Sequence, residues 1–256
     1  MNDTEKESKR LLSSAIDLGS QILECGGDVN HVEKIINKIC SAYGAQQTDV
    51  FVITSSIVVT MKRNEDSFTQ TRRINHYNTD FRKLDELVDL STNLCKTKPE
   101  LSRLETEIKE ACEKTIQHPI LDLTGYILAS GSFAVFFGGN FMDGFCAAVC
   151  GAVIFFFNKK LNKVWNSQLI FYLICSLFTG FFALLLTKVG LCANVDKVMI
   201  GSIMLLIPGI ALTNALRDLF AGDTISGILR LLEALIQAGA IACGFALAVF
   251  LGGKIL

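Results

Sequence analysis

Residues 168–187 read QLIFYLICSLFTGFFALLLT, a stretch without a single charged side chain. A membrane-spanning helix needs roughly 20 consecutive, mainly apolar residues, so this stretch predicts a transmembrane helix. Further apolar stretches lie on either side of it, at 121–137, 143–157, 198–216 and 226–253. Residues 119–256 are therefore predicted to form an all-α membrane domain of five transmembrane helices, of which 143–157 is short for a span.

The N-terminal part of the chain has a different composition. Residues 1–118 carry 16 Lys/Arg and 19 Asp/Glu, whereas residues 119–256 carry 8 and 6. The first part therefore has the composition of a soluble domain, and the second does not. The net charge of −1 gives no case for binding to nucleic acid. Because the segment from Met1 to Lys6 has no apolar stretch, no cleavable signal peptide is expected.

The soluble domain, 1–118, is predicted to combine helices with strands. Apolar residues recur at helical spacing in four segments, around 11–23, 32–43, 81–94 and 101–112. The segment 49–61 is rich in β-branched residues, which predicts two strands that turn near Ser55-Ser56. The segment 68–74 alternates more weakly and predicts a third strand. The resulting order of two helices, three strands and two helices defines an α+β domain.

Signals for catalysis in the soluble domain are weak. The candidates for a polar site are Glu24, His31, Glu33 and Arg73, with Arg72 beside the last. Simpler explanations exist, because Asn30 and Glu33 have the spacing of a helix-capping pair and the two arginines could line a solvated strand edge. The sequence shows no Ser-His-Asp order, no phosphate-binding loop and no metal-ligand spacing, and its nine cysteines form no Cys-x-x-Cys pair. We therefore expect no enzyme activity, no metal and no cofactor.

The stretch 198–216 carries a proline close to its centre. Pro208 has no N–H to offer the carbonyl of Met204, and Gly209 loosens the helix further. Backbone groups freed at this depth must face protein or a water-filled cavity, and many transporters form their binding sites at such broken helices. The alternative is a simple proline kink that binds nothing.

Small residues recur at spacings of four on two of the apolar stretches. They are Ser130, Ala134 and Gly138 on the first stretch, and Ala240, Gly244, Ala248 and Gly252 on the last. Such stripes allow helix backbones to approach each other closely in lipid. They predict either packing within the helix bundle or an interface between subunits.

Basic residues between the spans predict the orientation in the membrane. Lys159, Lys160 and Lys163 lie in one loop, and Arg217 lies in a second loop on the same side, 217–225. Because cytoplasmic loops carry an excess of Lys and Arg, this side is expected to be cytoplasmic. Five spans then place the N-terminus in the cytoplasm and the C-terminus outside the cell.

Several motifs together resemble those of the threonine/serine exporter family. They are Glu24-Cys25-Gly26-Gly27, Val32-Glu33, Thr71-Arg72-Arg73-Ile74, Phe137-Gly138-Gly139 with Asp143, Leu206-Ile207-Pro208-Gly209, Asn214, Arg217-Asp218, Gly222-Asp223, Ser226-Gly227 and Arg230. The resemblance covers nearly the whole chain. It implies export of small carboxylate metabolites across the plasma membrane, either amino acids such as threonine and serine or a dicarboxylate such as succinate.

The resemblance also implies a partner. Five spans are typical of the split members of the family, in which a separate, smaller multi-span membrane protein supplies the second membrane half. Higher-order oligomers are compatible with this arrangement. Nothing in the sequence resembles an ATPase motif, so export is expected to use an ion gradient. Two other functions fit the residues alone, a membrane-anchored cytoplasmic sensor or binding module and a membrane-tethered hydrolase.

A carboxylate substrate needs compensating charge along its path through the membrane. The residues predicted to line that path are Ser202, Pro208, Gly209, Asn214, Arg217, Asp218, Asp223, Arg230 and Glu233. Among them, Arg217 and Arg230 are expected to attract or gate the carboxylate. Asp218 and Glu233 are expected to hold the arginines or to carry a coupling proton. The alternative is that both arginines only anchor their helices at the cytoplasmic side.

Overall fold

The computed structural model describes residues 3–74, 79–114, 118–161 and 168–255. The chain divides into two compact units. The first, which we call the α+β unit, comprises Met1–Ile116 and Thr213–Arg230. The second, the helical unit, comprises Gln117–Leu212 and Leu231–Leu256. A segment from the C-terminal half of the chain therefore belongs to the same unit as the N-terminal residues.

In the N-terminal part of the α+β unit, helices precede and follow a small sheet. The elements are α1 (Asp3–Glu24), α2 (Val29–Ala42), β1 (Gln47–Ile53), β2 (Ser56–Arg63), β3 (Asp66–Arg73), α3 (Phe81–Thr97) and α4 (Leu101–Glu113). The sheet is antiparallel with the strand order β1-β2-β3. The predicted order of two helices, three strands and two helices is confirmed.

One apolar core joins α1 and α2 to the sheet. Leu12 and Leu18 of α1 and Ile36 of α2 are fully buried, and Ile57 and Val59 of β2 form part of the inner face of the sheet. The helical residues recur at spacings of three and four, and the strand residues alternate, so each element presents one apolar face to the core. Removal of these faces from water is the main force that holds this unit together.

The start of α2 differs from the prediction. The N-cap is Asp28, whose side chain accepts the N–H of His31 at 2.7 Å. Asn30 therefore lies inside the helix, and Glu33 accepts the N–H of Val52 in β1 at 3.1 Å instead. The predicted capping pair of Asn30 and Glu33 is wrong, because Asp28 offers a capping carboxylate two residues before Asn30.

The described residues after α4 form mainly helices. The helices are α5 (Pro119–Phe136), α6 (Phe141–Leu161), α7 (Gln168–Lys188), α8 (Val195–Leu206), α9 (Gly209–Ala221) and α10 (Thr224–Ile255). Four of them, α5, α6, α7 and α10, are long and apolar enough to cross a membrane, whereas α8 and α9 pass this test only as a pair bent by 51°. The described residues thus contain four candidate spans, or five if the bent pair forms one span.

The helix α6 is longer than predicted. It has 21 residues, so a short second span is not observed. Asn158, Lys159 and Lys160 continue the helix beyond the apolar stretch, because polar side chains do not interrupt helical hydrogen bonds. Lys163 of the predicted basic loop lies outside the described residues.

The helix α9 also extends further than predicted. It continues through Arg217 to Ala221, so the predicted loop 217–225 is reduced to Gly222 and Asp223. Gly222 has a φ of +95°, a conformation that favours glycine and ends the helix. Arg217 is therefore a helical residue rather than a loop residue.

The small-residue stripes pack inside the helical unit. A Cβ atom at Gly244 of α10 would lie 2.5 Å from the carbonyl oxygen of Leu173 in α7. On α5, Ser130 and Ala134 are fully buried, and a Cβ atom at Gly201 of α8 would lie 2.5 Å from the carbonyl oxygen of Ser130. Of the two predicted alternatives, packing within the bundle describes these contacts.

Candidate functional site

The predicted site residues are divided between the two units. Those in the α+β unit are Glu24, Glu33, Arg73, Asn214, Arg217, Asp218, Asp223 and Arg230, and those in the helical unit are Ser202, Pro208, Gly209 and Glu233. Within the α+β unit, most of the residues from α9 and α10 meet the loop between α1 and α2. We call residues 25–28, which connect these two helices, the α1–α2 loop.

Two side chains from the C-terminal half bind carbonyl groups of the α1–α2 loop. Asn214 of α9 donates from Nδ2 to the carbonyl oxygen of Gly26 at 3.3 Å. Arg230 of α10 donates from a guanidinium nitrogen to the carbonyl oxygen of Gly27 at 3.2 Å. These hydrogen bonds connect the Glu24-Cys25-Gly26-Gly27 motif with the motif residues Asn214 and Arg230.

Both glycines of the α1–α2 loop are needed for its conformation. Gly26 has a φ of +100°, in the region that L-residues rarely adopt. A Cβ atom at Gly27 would lie 2.8 Å from both the carbonyl oxygen and a side-chain carbon of Ile22. The tight turn leaves the carbonyl oxygens of both glycines in contact with the donors from α9 and α10.

Arg230 is buried and has an acidic partner. One guanidinium nitrogen lies 3.5 Å from Oδ2 of Asp218, and the two side chains are only 8% and 2% exposed. Removing one member of such a buried pair leaves an uncompensated charge, which costs about 3–5 kcal/mol. Asp218 is thus the acidic partner of Arg230, and Arg230 connects α9, α10 and the α1–α2 loop.

Arg217 has a different environment. Its side chain is 67% exposed and lies 3.4 Å from Oδ2 of Asp28, which is 16% exposed. Asp28 therefore has two partners, since its other oxygen caps α2. The sequence reasoning missed Asp28, although its position directly after two glycines and before a helical segment is a capping signal.

Two further carboxylates belong to this region. Burial raises the pKa of the Glu33 carboxyl from its ordinary value of 4.5, the hydrogen bond from Val52 opposes this change, and the negative charge of Asp223 adds to it. Asp223 lies at the N-cap position of α10, where its carbonyl oxygen accepts the N–H of Gly227 at 2.9 Å. Its Oδ2 is buried and has no hydrogen-bond partner among the described residues.

The remaining candidates lie elsewhere in their units. Glu24 accepts a hydrogen bond from Gln21 at 2.8 Å. Arg73 is exposed at the end of the edge strand β3, and the neighbouring Arg72 forms an ion pair with Asp17. Among the described residues, no group of three or more His, Cys, Asp or Glu side chains is arranged to hold a metal ion.

In the helical unit, the chain turns at Pro208. The last helical bond of α8 runs from the N–H of Ile207 to Ile203 at 3.0 Å, and the carbonyl oxygen of Pro208 accepts the N–H of Leu212 at 3.0 Å in α9. Ser202 is fully buried and donates to the carbonyl oxygen of Val198 at 2.9 Å. Glu233 lies on α10 with an exposed side chain.

The comparisons with known proteins gave one match. The model of the threonine/serine exporter family, ThrE, matches residues 13–252, which cover most of both units and all the predicted site residues. No curated protein and no solved structure matches the chain. Since the family model covers far more than half of the sequence, the chain belongs to the threonine/serine exporter family.

Proposed function

We propose that this chain is one subunit of a secondary exporter of small carboxylate metabolites, either amino acids such as threonine and serine or a dicarboxylate such as succinate. Family membership supports transport, export and a multi-pass location in the plasma membrane. The family consists of transporters rather than enzymes, so the hydrolase alternative has no support. A sensor or binding module would not need several apolar helices, since one span is enough for an anchor.

The observation that carries the proposal is the binding of α9 and α10 to the α1–α2 loop. Asn214 and Arg230 follow the break at Pro208 and hold the carbonyls of Gly26 and Gly27. The soluble domain thereby binds α9 and α10, which carry the motif residues Asn214 and Arg230. We infer that the α1–α2 loop and the α9–α10 connection together form the cytoplasmic gate of the exporter.

The two arginines have separate roles in this proposal. Arg217 is mostly exposed, and its distance of 3.4 Å from Asp28 leaves most of its guanidinium donors accessible. A substrate carboxylate can therefore compete with Asp28 for a two-pronged pair with Arg217. Arg230 is buried on Asp218 and Gly27, so it positions the gate instead of receiving the substrate.

The proposed orientation is supported by the basic residues and by a count of five spans. If the bent pair of α8 and α9 is one span, five spans separate the two ends of the chain. Lys159 and Lys160 at the end of α6 favour the cytoplasmic side for that helix end. We propose that the N-terminus is cytoplasmic and the C-terminus is outside. A reporter fused after Leu256 is expected to behave as extracytoplasmic, and cytoplasmic activity of that reporter would contradict the orientation.

The working exporter is proposed to include a second membrane half, supplied by a smaller multi-span membrane protein. Backbone groups near Pro208 cannot remain unpaired in hydrocarbon, where each costs several kcal/mol. A partner with the opposite orientation would cover the broken helix and form an inverted pair, the arrangement of many transporters.

Export assays test this function directly. Cells would express the chain alone, the smaller membrane protein alone, or both, and would be loaded with threonine, serine, succinate or a neutral solute as a control. Export of a carboxylate metabolite is expected only when both proteins are present. Full activity of the purified chain as a monomer would contradict the need for a second half. Absence of export for every carboxylate would contradict the substrate class.

A further inference from the structure

Asp143 is a fully buried carboxylate in the helical unit. It lies in the first turn of α6, and its exposed fraction is 0%. Each of its two oxygen atoms accepts two hydrogen bonds. Oδ1 accepts the backbone N–H groups of Ala193 and Asn194 at 2.9 and 3.1 Å, and Oδ2 accepts the N–H of Asn140 and the side-chain amide of Asn194, both at 2.9 Å.

These four bonds join three parts of the chain. Asn140 belongs to the turn between α5 and α6, whereas Ala193 and Asn194 belong to the connection between α7 and α8. Asn194 is also the residue directly before α8, the first half of the bent pair. A single carboxylate therefore holds the start of the broken helix against α6. We call Asp143 and its three partner residues the Asp143 clasp.

The partners of Asp143 suit a contact that opens and closes. Lys197, whose Cβ lies close to Gly139, forms an ion pair with Asp196 at 3.1 Å. The hydrogen bonds that Asp143 accepts in the described chain come from backbone and amide N–H groups. Water can replace such partners when the clasp opens, because it solvates both the carboxylate and the N–H groups. Water cannot replace the partners of an apolar contact in this way, because it forms no hydrogen bonds with apolar side chains. The clasp can therefore separate at a modest cost, whereas a hydrophobic seam could not.

We propose that Asp143 is a positioning residue that latches an extracytoplasmic gate. It holds the start of α8 against α6 in the closed state and releases it during each export cycle. This inference rests on the proposed function and its orientation, in which the connection between α7 and α8 lies on the outer side. The hinge at Pro208 then allows α8 to move at its outer end while α9 stays bound to the α1–α2 loop.

Two cysteines beside the clasp report on its state. Cys146 is 2% exposed and lies one turn after Asp143 on α6, with its Sγ 3.6 Å from the carbonyl oxygen of Leu191. Cys192 is 6% exposed and lies two residues before Asn194. Both thiols are protected when the clasp is closed and become accessible from the outer side when it opens.

The experiment measures how fast a membrane-impermeant maleimide labels Cys192 in intact cells that express the full chain with its partner. All variants carry Cys243→Ser, which removes an exposed thiol. Asp143→Asn is expected to label at least roughly tenfold faster than the parent, because the NH2 group that replaces one carboxylate oxygen cannot accept either hydrogen bond of that oxygen, and losing one such charge-assisted bond already corresponds to about tenfold. Asn194→Asp is expected to do the same, because it places two carboxylates against each other. Equal protection of the parent and both variants would overturn the latch.

The double variant Asp143→Asn with Asn194→Asp distinguishes a latch from general destabilisation. It restores an amide–carboxylate pair with the direction of the hydrogen bond reversed. Labelling is expected to return toward the parental rate, whereas two independent destabilising changes would label faster than either single variant. Faster labelling of the double variant would therefore overturn the specific pairing.

Labelling of Cys192 during export distinguishes a gate that opens in each cycle from a clasp that stays closed. In cells that are exporting substrate, Cys192 of the parent is expected to label faster than in substrate-depleted cells. If export is measured and the labelling rate does not change, the clasp is a static support and the gate is overturned. If no export is measured for any substrate, the proposed function fails, while the comparison of the variants still tests the latch.

Discussion

The α+β unit buries large aliphatic side chains such as Leu12 and Ile36, whereas the fully buried residues of the helical unit include Ser130 and Ala134. The large apolar residues of the helical unit lie mostly on its surface, where Phe136, for example, is 79% exposed. The largest fully buried side chains therefore lie in the α+β unit, whereas many large apolar side chains of the helical unit are exposed.

The difference shows which solvent each region is built for. In water, the α+β unit gains stability by removing large apolar surfaces from the solvent. In a bilayer, exposed Leu and Phe side chains have no reason to avoid lipid, so the helices associate through close backbone contacts and polar bonds. The buried Asp143, with its four N–H donors, belongs to this second mode of association.

The largest effect is expected from truncating the aliphatic core. Leu12→Ala is expected to lower the free energy of unfolding of the α+β unit by about 2–5 kcal/mol, because it leaves a cavity at a fully buried position. The matched control is Leu128→Ala, at a side chain that is 67% exposed on α5. Thermal unfolding of the purified full chain in detergent would measure both changes. Equal losses for the two variants would contradict the distinction between the units.

A smaller effect is expected from adding one methyl group to the helical unit. Gly244→Ala is expected to destabilise the bundle by about 1–3 kcal/mol, because the new Cβ would lie 2.5 Å from the carbonyl oxygen of Leu173. Gly239→Ala on the same helix is the control, since a Cβ there meets nothing within 4 Å. The measurement is the loss of monodisperse protein on heating in detergent. A Gly244→Ala protein as stable as Gly239→Ala would show that close backbone packing is not what holds this unit together.

The smallest effect is expected from Glu33, where burial and the hydrogen bond from Val52 act on the pKa in opposite directions. Its pKa is raised in the folded chain, so the native state binds more protons than the unfolded state just above 4.5. This contribution to stability is therefore lost as the pH rises through the folded pKa. Glu33→Gln keeps an acceptor for Val52 and cannot titrate, so its stability relative to the parent should improve between about pH 4 and about pH 8. Unfolding midpoints at both pH values would test this, and a constant difference between the two proteins would contradict it.

Most of the fold of the α+β unit can be predicted from the sequence, because the helical spacing of apolar residues and the β-branched strand segments are both clear there. Apolar residues at spacings of three and four predicted the helices, and β-branched runs predicted the strands. The start of α2 was misplaced because Asn30 competes with Asp28 as a cap in the sequence, and only the backbone decides between them. The end of α9 was missed because a polar residue such as Arg217 signals a helix surface and a loop equally well.

The candidate site was only partly readable. The sequence motifs identify Asn214 and Arg230, but both side chains donate to backbone carbonyls, which no residue type reveals. Asn214 and Gly26 are 188 positions apart, and Arg230 and Gly27 are 203 apart, so no local pattern connects them. The sequence also treats Arg217 and Arg230 alike, whereas the structure buries one and exposes the other.

We propose that the α1–α2 loop and the α9–α10 connection, with Arg217 on α9 and Arg230 on α10, form the cytoplasmic gate. The most direct test is the export rate of Arg217→Lys and Arg230→Lys, each expressed with the partner at the parental level in the membrane. Arg230→Lys is expected to lose at least roughly tenfold, because Arg230 reaches Asp218 and Gly27 with two different guanidinium nitrogens, whereas lysine has a single nitrogen at the end of its side chain. Arg217→Lys is expected to lose less, but measurably, because lysine lacks the planar fork that pairs with a carboxylate. If both variants insert normally and export at the parental rate, the arginines are only membrane anchors and the gate assignment is wrong.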